Sequence, residues 1–360
     1  MLIVFSEWYF GAGLPTWALF AEIAVAGCLV IVLAARLTKL ADRLADELNL
    51  GKAWVGMLLL ATVTSLPEVV TSGTAVVIGT PDMAFATIFG SCSFNIILIV
   101  LINAVIGGGS VLSRSTGSHM LTSTCGIILL ALALLGITLV DKFAPRPLLA
   151  QGCELVIAGL IAIGYCVFIR LTYHFEHAGR TPPDLQAARQ GRTPSLGIKI
   201  ALLAMALVAA AWWLTRTGDV LAVHPIKLLG RPLGASFVGV AFLALCTSLP
   251  EIVTCLAAVR LGQLDLALGN IFGSNMFNIL VIPMLKIVSL ACGDALLMNG
   301  EQFHPLPATL AGLLPILLTG ITVVGLTYSA RRQVLRFGID SVLLAVVYGA
   351  GMCLLFIEVT

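Results

Sequence analysis

Residues 56–98 read GMLLLATVTSLPEVVTSGTAVVIGTPDMAFATIFGSCSFNIIL, and residues 239–281 read GVAFLALCTSLPEIVTCLAAVRLGQLDLALGNIFGSNMFNILV. Laid over each other without a gap, at a constant offset of 183, they are identical at 22 of 43 positions. The identities include residues that an apolar span normally excludes: Thr64/Thr247, Ser65/Ser248, Pro67/Pro250, Glu68/Glu251, Ser91/Ser274 and Asn95/Asn278. One polar constellation is thus written twice into an apolar chain.

The surrounding composition says what kind of chain this is. Of 360 residues, 59% are hydrophobic and 11% charged, and the mean hydropathy is +1.06. A soluble globular domain does not look like this. A bilayer core takes about 20 apolar residues per helix, and helices satisfy their own backbone in lipid. The expected fold is therefore an all-α multi-span membrane protein. Spans are predicted near 14–35, 53–79, 83–107, 118–140, 149–171, 198–215, 235–259, 264–287, 306–328 and 338–357. These ten form a first five-helix repeat over 1–171 and a second over 198–360, joined by the polar stretch 172–197. After the first span, Leu37, Leu40, Ala41, Leu44 and Leu48 mark one face of an amphipathic, surface-lying continuation. Spans four and five, and nine and ten, are Leu/Ala/Gly-rich and read as scaffold.

Several function classes are disfavoured. No basic stripe points to nucleic acid. The N-terminus lacks a basic n-region and an A-x-A site, so a cleaved signal peptide is not expected. The nine cysteines have no C-x-x-C pair and read as small core residues. His174 and His177 have H-x-x-H spacing, but no further ligands lie near, and the five histidines fall in or near predicted loops, which leaves no His-rich centre for an intramembrane enzyme. Glu154 is placed at a membrane interface and Lys286 near a span end.

With the N-terminus outside, inner loops hold 14 of the 20 Lys and Arg, which fits the positive-inside rule and makes 172–197 cytoplasmic. Glu68 falls in span two and Glu251 in span seven, five crossings apart. An odd number of crossings reverses direction, so the repeats are expected to be inverted. In that architecture broken helices meet at the midplane and form the binding site.

Pro67 and Pro250 each remove a backbone donor and must kink or unwind T-S-L-P-E, so carbonyls around Ala61 to Thr64 and Ala244 to Thr247 need partners. Each midplane Glu costs about 2.5–3.5 kcal/mol on insertion scales. No Lys or Arg in a span is expected at that depth, which leaves a bound cation as the counter-charge. Thr64, Ser65, Thr247 and Ser248 add hydroxyls at the same level; Asn95 and Asn278 add amide oxygens, and Ser91 and Ser274 lie one turn earlier on the same face. An all-oxygen set suits hard cations such as Ca²⁺ and Na⁺ rather than Zn²⁺ or Cu⁺.

T-S-L-P-E followed by G-S-x-x-x-N in both halves resembles the alpha repeats of the Ca²⁺/cation antiporter superfamily, specifically prokaryotic sodium/calcium exchangers. The resemblance is carried by the two repeats, and the other spans match in plan. It implies a secondary antiporter in the prokaryotic inner membrane, with Ca²⁺ and Na⁺ as substrates, no cofactor, and three Na⁺ exchanged per Ca²⁺. Glu68 and Glu251 would be shared ligands, with Thr64, Thr247, Ala61 and Ala244 contributing hydroxyls or carbonyls; Ser65, Ser248, Ser91, Ser274, Asn95 and Asn278 would complete the lining. Exchange of H⁺ for Ca²⁺, or of another divalent cation such as Mg²⁺, is the alternative. The copies differ at Ala86-Thr87 against Gly269-Asn270, and at Cys92 against Asn275. Asn at both 95 and 278, where some relatives carry Asp, argues against potassium co-transport. Oligomeric state is not legible.

Overall fold

The computed structural model describes residues 16–48, 50–77, 79–107, 110–115, 117–177, 194–223, 225–226, 231–232, 247–294, 296–298, 303–328, 333–334 and 337–359. In chain order its helices are α1 (Thr16–Glu47), α2 (Lys52–Thr64), α3 (Leu66–Val77), α4 (Pro81–Ile106), α5 (Ser118–Phe143), α6 (Pro147–His177), α7 (Pro194–Val223), α8 (Leu249–Arg260), α9 (Leu264–Ala291), α10 (Pro305–Tyr328) and α11 (Ile339–Val359). A 3₁₀ turn at Leu112–Arg114 and two antiparallel ladders of two residues each, Pro225–Ile226 with Arg231–Pro232 and Gln333–Val334 with Phe337–Gly338, complete the described structure.

Seven of these helices are long and apolar enough to cross a membrane, and an eighth crossing results if α2 and α3 form one bent span. The chain is a multi-pass helical membrane protein. Its helices cover the predicted spans, with the predicted seventh beginning among residues outside the described set; α6 runs on to His177 and α7 begins at Pro194, so 172–177, with His174 and His177, and 194–197 are helical rather than loop. The amphipathic continuation of α1 does not lie on a surface. Leu37 and Ala41 are buried, together with Ala45, and this face packs into the core against α7 and α8. Helix–helix burial offers these small residues closer contacts than an interface would. Beyond α1, Lys52 turns the chain back by pairing with Asp42 at 2.5 Å and Asp46 at 2.6 Å.

The break predicted at T-S-L-P-E is present. α2 and α3 meet at 42° across Ser65. Ser65 has φ −89° and ψ 4°, and Ser248, its counterpart in the second copy, has φ −91° and ψ 6°. Pro67 and Pro250 sit two residues beyond, where the absent N–H stops the helix from running straight. A π-helical turn at Gly56–Leu60, just before the first break, lay outside the sequence expectation. Such turns gather at functional sites.

α9 is the centre of the molecule, with every residue from Leu266 to Ile279 buried. Three glycines bring its backbone against α2. A Cβ on Gly269 would lie 2.2 Å from the Ala53 carbonyl oxygen, one on Gly273 2.4 Å from that of Met57, and one on Gly56 2.3 Å from that of Leu266. Gly269-x-x-x-Gly273 is the small-residue spacing that lets membrane helices touch backbone to backbone. Gly273→Ala is therefore expected to destabilise the fold by about 1–3 kcal/mol, the usual cost of overpacking. Gly90→Ala, at the equivalent position of the first copy, meets open space and should be neutral. Thermal unfolding in detergent checks the pair, and equal behaviour of the two variants would contradict the crossing.

Candidate cation-binding site

Two broken helices and the two helices that follow them converge on one buried locus. α2 supplies Ala61 and Thr64, the break supplies Ser65, and α3 supplies Glu68. Ser91 and Asn95 come from α4. Thr247 and Ser248 lead into α8 and its Glu251, while α9 brings Ser274 and Asn278. All of these are buried, Glu68 and Glu251 to 1% exposure each. Ala244 lies outside the described residues.

The two copies meet directly. Ser65 Oγ donates to Glu251 Oε1 at 3.3 Å, from one copy to the other, and Ser91 Oγ donates to Glu68 Oε1 at 3.3 Å. Each carboxylate sits in the first turn of its helix, where the partial positive charge of the N-terminus favours a negative group. Among the described residues no ion pair reaches either one.

Oxygens are left over. Glu68 Oε2, Glu251 Oε2, Asn95 Oδ1, Asn278 Oδ1 and Ser274 Oγ are buried with no hydrogen-bond partner. An orphaned buried polar atom costs about 1–3 kcal/mol, more when charged, so five at one locus make it a candidate for a ligand. Their chemistry is that of hard-cation donors. The Ala61 carbonyl accepts the Ser65 N–H at 3.1 Å and has the Thr64 hydroxyl 3.5 Å away. Thr64 Oγ1 donates back to the Leu60 carbonyl at 3.0 Å, which leaves its own lone pairs free.

Two further residues belong to this locus although the T-S-L-P-E and G-S-x-x-x-N signatures do not single them out. Asn275 Oδ1 accepts from Asn95 Nδ2 at 3.1 Å, and Asn275 Nδ2 donates to the Cys92 carbonyl at 3.0 Å. Asn270 Nδ2 donates to Thr254 Oγ1 at 2.9 Å, tying α9 to α8 behind Thr64. The available signal was that both are amides where the copies disagree.

Other placements need correction. Glu154 is not an interface residue; it is buried, ion-paired with buried Lys286, and accepts the Leu297 N–H at 3.1 Å and the Met298 N–H at 3.2 Å. The residues after α9 fold back onto α6, enclosing both charges in protein, and each then needs the other. Lys286 is thereby committed away from the two repeat carboxylates. His119, expected in or near a loop, stands at the start of a helix and is enclosed by protein. It is buried in the first turn of α5, its Nε2 2.9 Å from Asp265 Oδ1 and its ring against Phe272. Of the eight described cysteines, Cys92, Cys125 and Cys255 are core residues as expected, whereas Cys28, Cys166, Cys292 and Cys353 are exposed.

Comparison with known proteins gives concordant results. A family profile described as sodium/calcium exchanger protein matches residues 18–173 and 196–357. The putative antiporter CaxA of Alkalimonas amylolytica is 32% identical over 292 residues, 78% of this chain and 84% of its own. Inner membrane protein YrbG of Escherichia coli (strain K12) is 29% identical over 270 residues, 72% of this chain and 77% of its own. Among solved structures, the sodium-calcium exchanger NCX_Mj soaked with 2.5 mM Na⁺ and 1 mM Sr²⁺ superposes with a TM-score of 0.64 at 16% identity, covering 94% of this chain and 99% of that one. At that identity the likeness is one of fold.

Proposed function

We propose that this chain, which belongs to the sodium/calcium exchanger protein family, is a secondary antiporter that exchanges Na⁺ for Ca²⁺ by alternating access. The observation that carries the reading is the set of five unpartnered buried oxygens on Glu68, Glu251, Asn95, Asn278 and Ser274. Two carboxylates with no basic partner among the described residues call for a cation, and the remaining donors are neutral oxygens of the kind that Ca²⁺ and Na⁺ share. The ligand set we assign is Glu68, Glu251, Asn95, Asn278, Thr64, Thr247, Ser65, Ser248, Ser91 and Ser274, with the carbonyls of Ala61 and Ala244.

The doubled sequence supports an inverted arrangement: residues 1–171 and 198–360 as two five-helix repeats, the broken helices at the midplane, and ions taken up alternately from either side. The excess of Lys and Arg in alternate loops supports a cell-membrane orientation with the N-terminus outside and 172–197 in the cytoplasm.

Purified protein in Na⁺-loaded liposomes should take up ⁴⁵Ca²⁺ when diluted into Na⁺-free medium, and uptake should stop when internal Na⁺ is replaced by choline. Uptake that instead follows an imposed pH gradient would make it an H⁺/Ca²⁺ exchanger. Flux that persists without any trans cation would make it a channel.

Acid should weaken it. Carboxylate ligands must be ionised to hold the metal, so protons compete with Ca²⁺ and are released when it binds. Ca²⁺ affinity is therefore expected to fall as pH drops from about 8 to about 5. Equilibrium binding across that range checks this, and a constant affinity would remove the carboxylates from the ligand set.

A further inference from the structure

The two copies of the site are not equivalent, and one difference between them traces to Cys92. At the offset of 183, Asn95 corresponds to Asn278, and Asn275 corresponds to Cys92. The hydrogen bond from Asn95 to Asn275 therefore has a counterpart in the contact of Asn278 with Cys92, and the Cys92 thiol does lie within reach of Asn278.

In the first pair the amide orientations are forced. A backbone carbonyl can only accept, so the bond at 3.0 Å to the Cys92 carbonyl fixes Asn275 with its Nδ2 on that side. Its Oδ1 must then face Asn95, which has to present Nδ2, at 3.1 Å. Asn95 Oδ1 is left aimed away from Asn275 as an unpartnered acceptor. This assignment does not depend on telling oxygen from nitrogen in either amide.

The second pair lacks this device. The Cys92 thiol makes the reciprocal contact, Sγ to the Asn275 carbonyl at 3.7 Å, and in doing so spends its one proton. What remains for Asn278 is a sulfur lone pair, a weak acceptor. Apart from that sulfur, neither Asn278 Oδ1 nor Nδ2 has a hydrogen-bond partner, although the residue is 1% exposed.

We propose that Cys92 is a specificity-determining position for the exchange reaction: it leaves Asn278 free to turn its amide, offering oxygen to a bound cation and N–H to a carboxylate once the cation has left, while Asn95 is held permanently as an oxygen ligand. One half of the site is thereby fixed and the other adaptable, which suits a carrier that must hold Ca²⁺ and Na⁺ in turn with the same atoms. A donor that must first turn around lowers apparent affinity by the fraction of time it points wrongly. The inference rests on the reading of this locus as the cation site.

The test is Cys92→Asn, which returns to the first copy the residue that the second already carries. The new amide would donate to the Asn275 carbonyl and accept from Asn278 Nδ2, locking Asn278 with its oxygen forward. One neutral hydrogen bond corresponds to about a two- to tenfold change. Ca²⁺ binding to the purified full chain should therefore tighten about fivefold, with slower turnover in Na⁺-driven exchange because release requires the reverse turn. In an Asn278→Ala background the same substitution should have no effect on Ca²⁺ affinity, which a merely structural role of Cys92 would not produce. Unchanged affinity in the wild-type background, or equal change in both backgrounds, overturns the proposal. If Cys92→Asn does not fold, the mirror variant Asn275→Cys should loosen Ca²⁺ about fivefold by releasing Asn95, and this loss should vanish in an Asn95→Ala background; affinity unaltered by Asn275→Cys overturns the proposal equally. Wild-type protein that binds no Ca²⁺ takes down the cation-site reading and this one with it, whereas Ca²⁺ binding indifferent to both variants takes down only this one.

Discussion

Glu68→Gln and Glu251→Gln are each expected to lower Ca²⁺ exchange by about 90-fold or more while leaving the protein folded. At about 4 Å and an effective dielectric constant near 20, Ca²⁺ gains about 8 kcal/mol from one carboxylate, twice the value for unit charges. If only a third of that survives the cost of desolvating the group, about 2.7 kcal/mol is lost with the charge, close to 90-fold. Gln keeps the shape and the Ser91 or Ser65 hydroxyl contact, so helix packing has little reason to change. Size-exclusion profiles and melting temperature should match the parent, and ⁴⁵Ca²⁺ flux should not. Near-normal flux in Glu68→Gln would sink the ligand assignment. A variant that aggregates would leave Glu251→Gln to decide the matter, since the two carboxylates occupy equivalent places in their copies.

The features legible in the sequence are those whose causes are local. Pro67 and Pro250 break their helices by covalent chemistry within one turn, and Ser65 and Ser248 accordingly show nearly the same backbone angles. The doubling made Glu68, Glu251 and their hydroxyl and amide companions visible, because a pair of intramembrane carboxylates at a fixed offset has no packing rationale. What escaped depends on contacts between distant segments. Glu154 and Lys286 are 132 residues apart, and each alone looks like an interface charge. The inward face of α1 carries the same residues that a surface-lying helix would carry, and only the helices packed against it decide between the two. Asn275 escaped for a different reason. It stands where the copies disagree, so a search for matched residues passes over it, yet it orients a matched one.

Exchange is expected to carry charge, and the sign follows from counting. Two ionised carboxylates, Glu68 and Glu251, with neutral donors from Asn95, Asn278, Ser91 and Ser274, give a locus of formal charge −2. One Ca²⁺ neutralises it. Three Na⁺, the number implied by the sequence resemblance, would leave +1. The carrier then crosses neutral in one direction and charged in the other, so each cycle moves one net charge inward as Ca²⁺ leaves. Across 100 mV that is worth about 2.3 kcal/mol, or roughly a 50-fold steeper Ca²⁺ gradient. An inside-negative potential should therefore drive Ca²⁺ outward, and a positive interior should favour its entry. Imposing potentials with K⁺ and valinomycin on reconstituted liposomes, at matched Na⁺ and Ca²⁺, should shift the ⁴⁵Ca²⁺ end point by about tenfold for each 60 mV. An end point that stays the same at every potential would mean two Na⁺ per Ca²⁺, a locus neutral in both loaded states, and the third Na⁺ would have to be abandoned.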